Sequence, residues 1–319
     1  MTGNIVPQER PLMLGVVGDS AAGKTTLTQG LAALMGVEDA ILVCTDDYHR
    51  CDRATRRQLD LTALHPDCNY LDIVAQHLTL LRRGQAVLKP VYDHRTGTFQ
   101  APEYIKPGNF VIVEGLLALS TAPMQRCFDV TIYLDPEETL RRRWKISRDT
   151  AERGYTTAEV EAAIERRKAD SRVFIWPQKE VADLIVQFYR PAGEPARAQA
   201  QLSVRLMQRH TLSGPDLTDL LAKSNNGGPP VVRLQRDVWN GHWPVDILEI
   251  DGSITPTQAA TMEEVLWAHL TRSGYQRPDL VGGYKTGANR HHSVTLALTQ
   301  LLIAYYLLTI RAHWPVGLV

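Results

Sequence analysis

What this chain has little of already narrows its function. Cysteine is scarce, and Cys44, Cys51, Cys68 and Cys127 include no C-x-x-C pair. That spacing makes neither a disulfide framework nor a zinc site, and it suits a reducing compartment. An excess of charge is missing too, since 35 Lys and Arg balance 35 Asp and Glu. No global field draws the protein to nucleic acid or to an anionic membrane, so neither is expected as a partner. Internal repeats and low-complexity tracts are lacking. Met1 to Arg10 is polar and has no apolar core of a secretory signal, so a cytoplasmic location is expected. The longest uncharged run, Val294 to Ile310, falls just short of a membrane-spanning length and contains Thr295, Thr299 and Gln300. It reads as a buried C-terminal helix. The 319 residues, 44% of them hydrophobic, are enough for one large α/β domain with a sizeable core.

What is present begins with Gly18-Asp19-Ser20-Ala21-Ala22-Gly23-Lys24-Thr25, a full G-x-x-x-x-G-K-[ST] phosphate loop. An apolar run, Leu12 to Val17, precedes it as a buried parallel strand would. Thr26 to Met35 follows, with Leu27, Leu31 and Leu34 at helical spacing. A glycine-rich turn between strand and helix aims backbone N–H groups and the positive helix end at a polyphosphate. Residues 18–26 are therefore the candidate ATP site, with Lys24 on the β- and γ-phosphates and Thr25 on Mg²⁺.

Apolar runs alternate with helical patterns through the first half, as in a doubly wound parallel sheet. Strands are expected at Leu12–Val17, Ile41–Cys44, Phe110–Glu114, Val130–Leu134 and Leu184–Phe188. Helices are expected at Thr25–Met35, Leu71–Arg83, Glu137–Arg153 and Thr157–Lys168. Pro90 to Pro107 reads as a long functional loop. Pro191–Ala200 looks like a connector. Beyond it Leu202–Met207, Val231–Leu234 and Val245–Ile250 read as strands without intervening helices, punctuated by a turn cluster at Asn225–Pro230. Helices at about Pro256–Arg272 and Ser293–Arg311 close the chain. The fold class is α/β: a phosphate-loop fold with a mostly parallel doubly wound sheet and a C-terminal antiparallel and helical elaboration. It is read as a single domain, 1–319, with its core at about 10–190 and the elaboration at about 191–319.

Chemistry-bearing residues gather where the second strand ends, at Thr45-Asp46-Asp47-Tyr48-His49-Arg50 and then Asp52-Arg53. Ligands of open α/β sheets collect at the carboxyl ends of strands, so an acid there faces the phosphates. Asp46 suits a base accepting the proton of an attacking hydroxyl; Asp47 is the alternative, or holds Mg²⁺ or water. A turn-forming Asp-Asp pair is the competing reading. Val111-Ile112-Val113-Glu114 ends an apolar strand in one acid, which with Thr25 and Asp46 completes a candidate metal set. Arg141, Lys145 and Arg148 share one helical face, a basic stripe suited to a transferring phosphoryl group or to a solvated surface. Arg166 and Arg167 end the next helix, where cations also suit the dipole. His49 and Arg53 suit a phosphorylated substrate. Tyr92 and His94 lie two apart and share a side in extended chain, to contact sugar hydroxyls or simply to pack.

Together with Lys89-Pro90-Val91-Tyr92-Asp93-His94, Val113-Glu114-Gly115 and Lys145-Ile146-Ser147-Arg148-Asp149, these residues resemble phosphoribulokinase, a relative of uridine kinase among the P-loop kinases. Ala151-Glu152-Arg153-Gly154 and Val245 to Gly252 resemble its plant and cyanobacterial branch. The likeness runs from about Leu14 to Leu308 and is strongest up to Asp183. It implies phosphorylation of D-ribulose 5-phosphate by ATP to ribulose 1,5-bisphosphate, with Mg²⁺ and a homodimer. Asp46 then matches the base and Glu114 the Walker-B-like acid. His49, Arg53, Lys145, Arg148, Arg153, Arg166 and Arg167 match positions that bind the sugar phosphate or stabilise the transferring group. Asp149 matches a position important for turnover. Rival readings are a kinase of the same fold acting on uridine, pantothenate or another sugar phosphate, and a nucleotide-dependent switch; no N-K-x-D guanine-reading motif supports the latter. One departure stands out: plant relatives carry a cysteine in the phosphate loop that pairs with a second cysteine in the dark. Here the loop position is Ala22, while Cys44 matches the second, so that pair cannot form.

Overall fold

Parallel strands that are apolar on both faces need helices on both sides, and the computed structural model has that arrangement. It describes residues 10–36, 38–191, 201–225, 229–241, 243–271, 278–287 and 289–313. The chain runs β1 (Leu12–Gly18), α1 (Lys24–Met35), β2 (Ala40–Cys44), α2 (Arg53–Gln58), α3 (Leu71–Arg82), β3 (Val87–Asp93), β4 (Thr98–Ile105), β5 (Phe110–Gly115) and α4 (Ala122–Gln125). It continues with β6 (Val130–Leu134), α5 (Glu138–Arg153), α6 (Thr157–Asp170), β7 (Leu184–Tyr189), β8 (Ser203–Arg209) and α7 (Thr218–Ser224). Last come β9 (Val232–Trp239), β10 (Trp243–Ile250), α8 (Pro256–Thr271), β11 (Gly283–Thr286), β12 (Asn289–His292) and α9 (Val294–Ala312).

One sheet spans both halves in the order β2-β5-β1-β6-β7-β8-β10-β9. The first five strands are parallel, and β8, β10 and β9 add antiparallel to them. Strand β1 is buried along its whole length. Its Leu12, Leu14 and Val16 face α1, α8 and α9, whereas Met13 joins Val74, Leu78 and Leu81 of α3 on the other side. This alternation places the phosphate loop at the carboxyl end of a central strand.

Helix α9 is long and apolar enough to cross a membrane by length alone, but here it is a core helix. Gln300, buried in its middle, donates to Thr26 O at 3.1 Å, and its Oε1 accepts from Gly282 N at 2.8 Å. A Cβ on Gly30 would lie 2.1 Å from that amide nitrogen, so any larger residue there must displace Gln300 from these bonds. The elaboration thus braces the first turn of the phosphate-binding helix.

Two expectations are corrected. Pro90 to Pro107 is no loop but part of the antiparallel hairpin β3–β4. Pro90 sits at a register shift, where its missing N–H costs no ladder bond. Asp93 O accepts from Gly97 N at 2.7 Å to close the turn. A seven-residue helix, α7, also separates β8 from β9, too short to show a helical period but anchored by buried Leu220. The connector at 192–200 lies outside the described residues, as do 1–9 of the N-terminal stretch and 226–228 of the turn cluster.

Candidate active site

The phosphate loop is built by two left-handed residues, Ala21 at φ 64° and Gly23 at φ 94°, the second capping α1. A non-glycine residue in this region is held there by its surroundings, a form of strain that concentrates at ligand sites. Lys24 is buried and donates to Gly18 O at 2.9 Å and Asp19 O at 3.1 Å, so it spans the loop from beneath. Asp19 accepts from Ser171 Oγ at 2.8 Å. Ser171 opens a single π-helical turn after α6, and such turns recur at functional sites. Sequence offered no signal for that contact, which spans 152 residues.

A 3₁₀ turn, Thr45–Tyr48, follows β2 and holds both acids at the sheet's carboxyl edge. They do different things there. Asp47 accepts from Lys89 Nζ at 2.5 Å and from Tyr92 N at 2.9 Å, which ties it to the β3–β4 hairpin. Both Asp47 oxygens are thus engaged by the hairpin, whereas Asp47 was expected as the alternative base or as a holder of Mg²⁺ or water. Asp46 accepts only the Leu116 N–H, at 3.1 Å, among the described residues. Burial would raise its pKa, but Lys24, His49, His94 and that N–H together hold it below the ordinary carboxylate value. A Cβ on Gly115 would stand 1.7 Å from Thr45 Oγ1 and 3.2 Å from Asp46 Oδ1, so only glycine lets β5 approach the turn.

Glu114 Oε1 accepts from Thr25 Oγ1 at 2.9 Å, whereas its Oε2 is buried with no partner. Burial raises the Glu114 pKa, with Lys24 and Thr25 opposing. A carboxylate oxygen without a donor, beside a hydroxyl, is the donor set of a hard cation that takes its remaining ligands from water and phosphate. No group of three or more His, Cys, Asp or Glu side chains forms a protein-only metal cage among the described residues.

The basic stripe of α5 closes over the loop. Arg141 donates to Ser20 O at 3.0 Å, and Lys145 and Arg148 reach Ser20 Oγ at 3.1 and 3.4 Å. Asp149 gathers Lys145, Arg148 and Arg153 at 2.9, 2.8 and 3.4 Å. Burial, Arg167 and Arg148 push Lys145 down to about 7, against the pull of Asp149. Arg167 has a buried Nε without a partner, whereas Arg166 stays exposed on the outside of α6. Of that expected pair, only Arg167 joins the cluster.

Next to the turn that carries Asp46, α2 meets the β3–β4 hairpin. Arg53 hydrogen-bonds His94 O and Arg95 O, placing it at the hairpin turn. His94 feels Asp46, Arg153 and Arg148, although burial is the largest influence lowering its pKa. Tyr92, expected to contact a sugar or to pack, is buried against His49 at 4.7 Å, with Arg56 Nη2 donating to its hydroxyl at 2.8 Å. It packs. Arg56 and Asn69, the latter 2.7 Å from His49 Nδ1, are site residues that sequence reasoning passed over, because neither sits in a motif.

The phosphate loop, Asp46 off β2, Glu114 at the end of β5 and the cationic face of α5 thus meet at one edge of the sheet. The profile of the Phosphoribulokinase / Uridine kinase family matches residues 13–192. The chain belongs to this family. Within it, a phosphoribulokinase from Synechocystis sp. is 38% identical over 201 residues, covering 63% of this chain and 60% of that one. The chloroplastic phosphoribulokinase of Chlamydomonas reinhardtii is 28% identical over 301 residues, 83% of this chain and 78% of that one. The chain spans about half to three-fifths of the length of the Synechocystis phosphoribulokinase and of four chloroplastic phosphoribulokinases it matches. Phosphoribulokinase from Rhodobacter spheroides shares the fold, with a TM-score of 0.55 and 19% identity over 83% of this chain and 99% of that one.

Proposed function

We propose that the protein transfers the γ-phosphoryl group of ATP to the 1-hydroxyl of D-ribulose 5-phosphate. The observation that carries this reading is a buried Asp46, held ionised by Lys24 of the phosphate loop and by His49 and His94, whose one hydrogen bond among the described residues is the Leu116 N–H. Lys24, Arg141 and Lys145 surround the phosphate loop on one side. Arg153 acts on His94, and Arg53, which donates to His94 O, acts on Arg153, on the side of the hairpin. An acceptor that already carries a phosphate suits that arginine pair, because guanidinium groups bind phosphate in bidentate fashion. A free nucleoside has no use for it.

Backbone N–H groups of residues 19–24 and Lys24 hold the β- and γ-phosphates. Thr25 and Glu114 would hold Mg²⁺, and bound there it supplies charge neutralisation at the phosphates. Asp46 takes the proton of the sugar hydroxyl as that oxygen forms its bond to the γ-phosphorus, and the bond to the ADP oxygen breaks. This reading reserves Asp46 for the proton rather than for metal. Lys145, Arg148 and Arg167 stabilise the charge on the transferring group, and Asp149 holds the first two in place. Arg53 and Arg153 take the 5-phosphate. The same reading takes 1–319 as a single domain, since one hydrophobic cluster runs from β1 to β10. It pairs two subunits through the edge strand β9, as a homodimer, and keeps the protein in the cytoplasm.

An ADP-release assay with Mg-ATP tests the proposal, run with ribulose 5-phosphate, ribose 5-phosphate, uridine and pantothenate. Turnover confined to ribulose 5-phosphate is expected. Turnover with uridine or pantothenate in its place overturns the acceptor assignment.

A further inference from the structure

His49 is 3% exposed and Asn69 8%, and their backbones face each other in an isolated antiparallel bridge. The flanking backbone bonds, Arg50 N to Cys68 O and Tyr70 N to Tyr48 O, hold both residues in register. Asn69 spends both donors of its side-chain amide on carbonyls, those of Ala63 at 3.3 Å and His65 at 3.0 Å. A flipped amide would turn its oxygen onto those two carbonyl oxygens, so the orientation is determined by its partners. The amide oxygen therefore faces His49 Nδ1 at 2.7 Å and can only accept. The proton must sit on Nδ1.

The other ring nitrogen, Nε2, has no hydrogen-bond partner among the described residues. Burial, helped by the Arg56 guanidinium, lowers the His49 pKa to about 4, against the pull of Asp46. A neutral ring protonated at Nδ1 leaves a lone pair on Nε2. Such a nitrogen repels a phosphate oxygen and accepts from a hydroxyl.

We propose that Asn69 is a positioning residue, fixing His49 as the Nδ1–H tautomer so that Nε2 accepts from a second hydroxyl of the acceptor beside Asp46. This rests on the acceptor-kinase reading above and narrows it. His49 reads the sugar, and the arginines alone read its phosphate. The role runs through His49, so Asn69 itself touches no substrate.

Two measurements test it, one without catalysis. In ¹⁵N-histidine-labelled protein, the His49 signals are assigned by their absence in His49→Gln. Between pH 6 and 8 they should show a protonated Nδ1 and an unprotonated Nε2. A protonated Nε2, or an imidazolium at pH 7, overturns the proposal. In Asn69→Ala, KM for ribulose 5-phosphate should rise about tenfold, as for one lost hydrogen bond in a buried site. The KM for ATP should hold, and the His49 spectrum should move toward mixed tautomers. An unchanged sugar KM overturns the proposal, as does an unchanged spectrum. Absence of turnover with ribulose 5-phosphate in the wild type would refute the acceptor assignment instead, and the spectrum would still decide the tautomer.

Discussion

Gly115→Ala is the substitution that most cleanly separates position from chemistry at this site. The added Cβ would lie 1.7 Å from Thr45 Oγ1, 2.9 Å from Thr45 Cβ and 3.2 Å from Asp46 Oδ1. Non-bonded carbon and oxygen settle near about 3.5 Å, so the Thr45 hydroxyl must swing away and the 3₁₀ turn must retreat to open the remaining contacts with Thr45 Cβ and Asp46 Oδ1. Its retreat carries Asp46 away from the Leu116 N–H that holds it at 3.1 Å. A misplacement of about 1 Å at a reacting group costs on the order of 10²-fold in rate. ADP release at saturating ATP and ribulose 5-phosphate should thus fall about a hundredfold in kcat, with ATP affinity nearly intact. Thr45→Ala alone should be mild, because Thr45 Oγ1 is buried without a partner. Combined with Gly115→Ala it removes the 1.7 Å contact and should restore part of the lost kcat. Wild-type turnover in Gly115→Ala, or no recovery in a folded double variant, would refute the argument that the turn positions Asp46.

Other expectations follow from the same geometry. Lys145, lowered to about 7, is charged below that pH and neutral above it. The kcat/KM for ATP should therefore fall roughly tenfold per pH unit above about pH 7.5, and Lys145→Arg should remove that limb; a flat wild-type profile would contradict the assignment. Asp47→Ala leaves buried Lys89 only the more distant, exposed carboxylate of Glu103 at 3.7 Å and should cost about 3 kcal/mol in urea unfolding. Asp46→Asn should leave the urea midpoint near wild type, so the reverse pattern would exchange the roles of the two acids. Burial and the nearby Asp46, Glu114 and Asp47 push the Cys44 thiol well above its ordinary pKa, and residue 22 in the phosphate loop is alanine. Oxidation should cause no dithiothreitol-reversible loss of activity through Cys44, and a reversible loss that vanishes in Cys44→Ser would show otherwise.

The readable parts of this site were those in which one stretch of chain carries strand, turn and ligand together. The phosphate loop, Asp46 after β2 and Glu114 at the end of β5 all have that form. The stripe of Arg141, Lys145 and Arg148 was legible as one helix face, and its target, Ser20, emerged only from the packing of α5 over the loop. The β3–β4 hairpin was obscured by Pro90, whose place at a register shift depends on the partner strand. Asn69 and Arg56 act through contacts with His49 and Tyr92, and isolated polar residues leave no periodic trace. Between Asp46 and Asp47 the sequence offered position alone. Lys89, 42 residues away, claims the second acid and leaves the first with the Leu116 N–H.

The central claim is best tested by ³¹P NMR of the products from Mg-ATP and ribulose 5-phosphate, with wild-type protein and Asp46→Asn compared at equal ATP saturation. The account predicts ribulose 1,5-bisphosphate and ADP from the wild type, and formation at least about a hundredfold slower from the variant. Equal rates of bisphosphate formation from both proteins would contradict it.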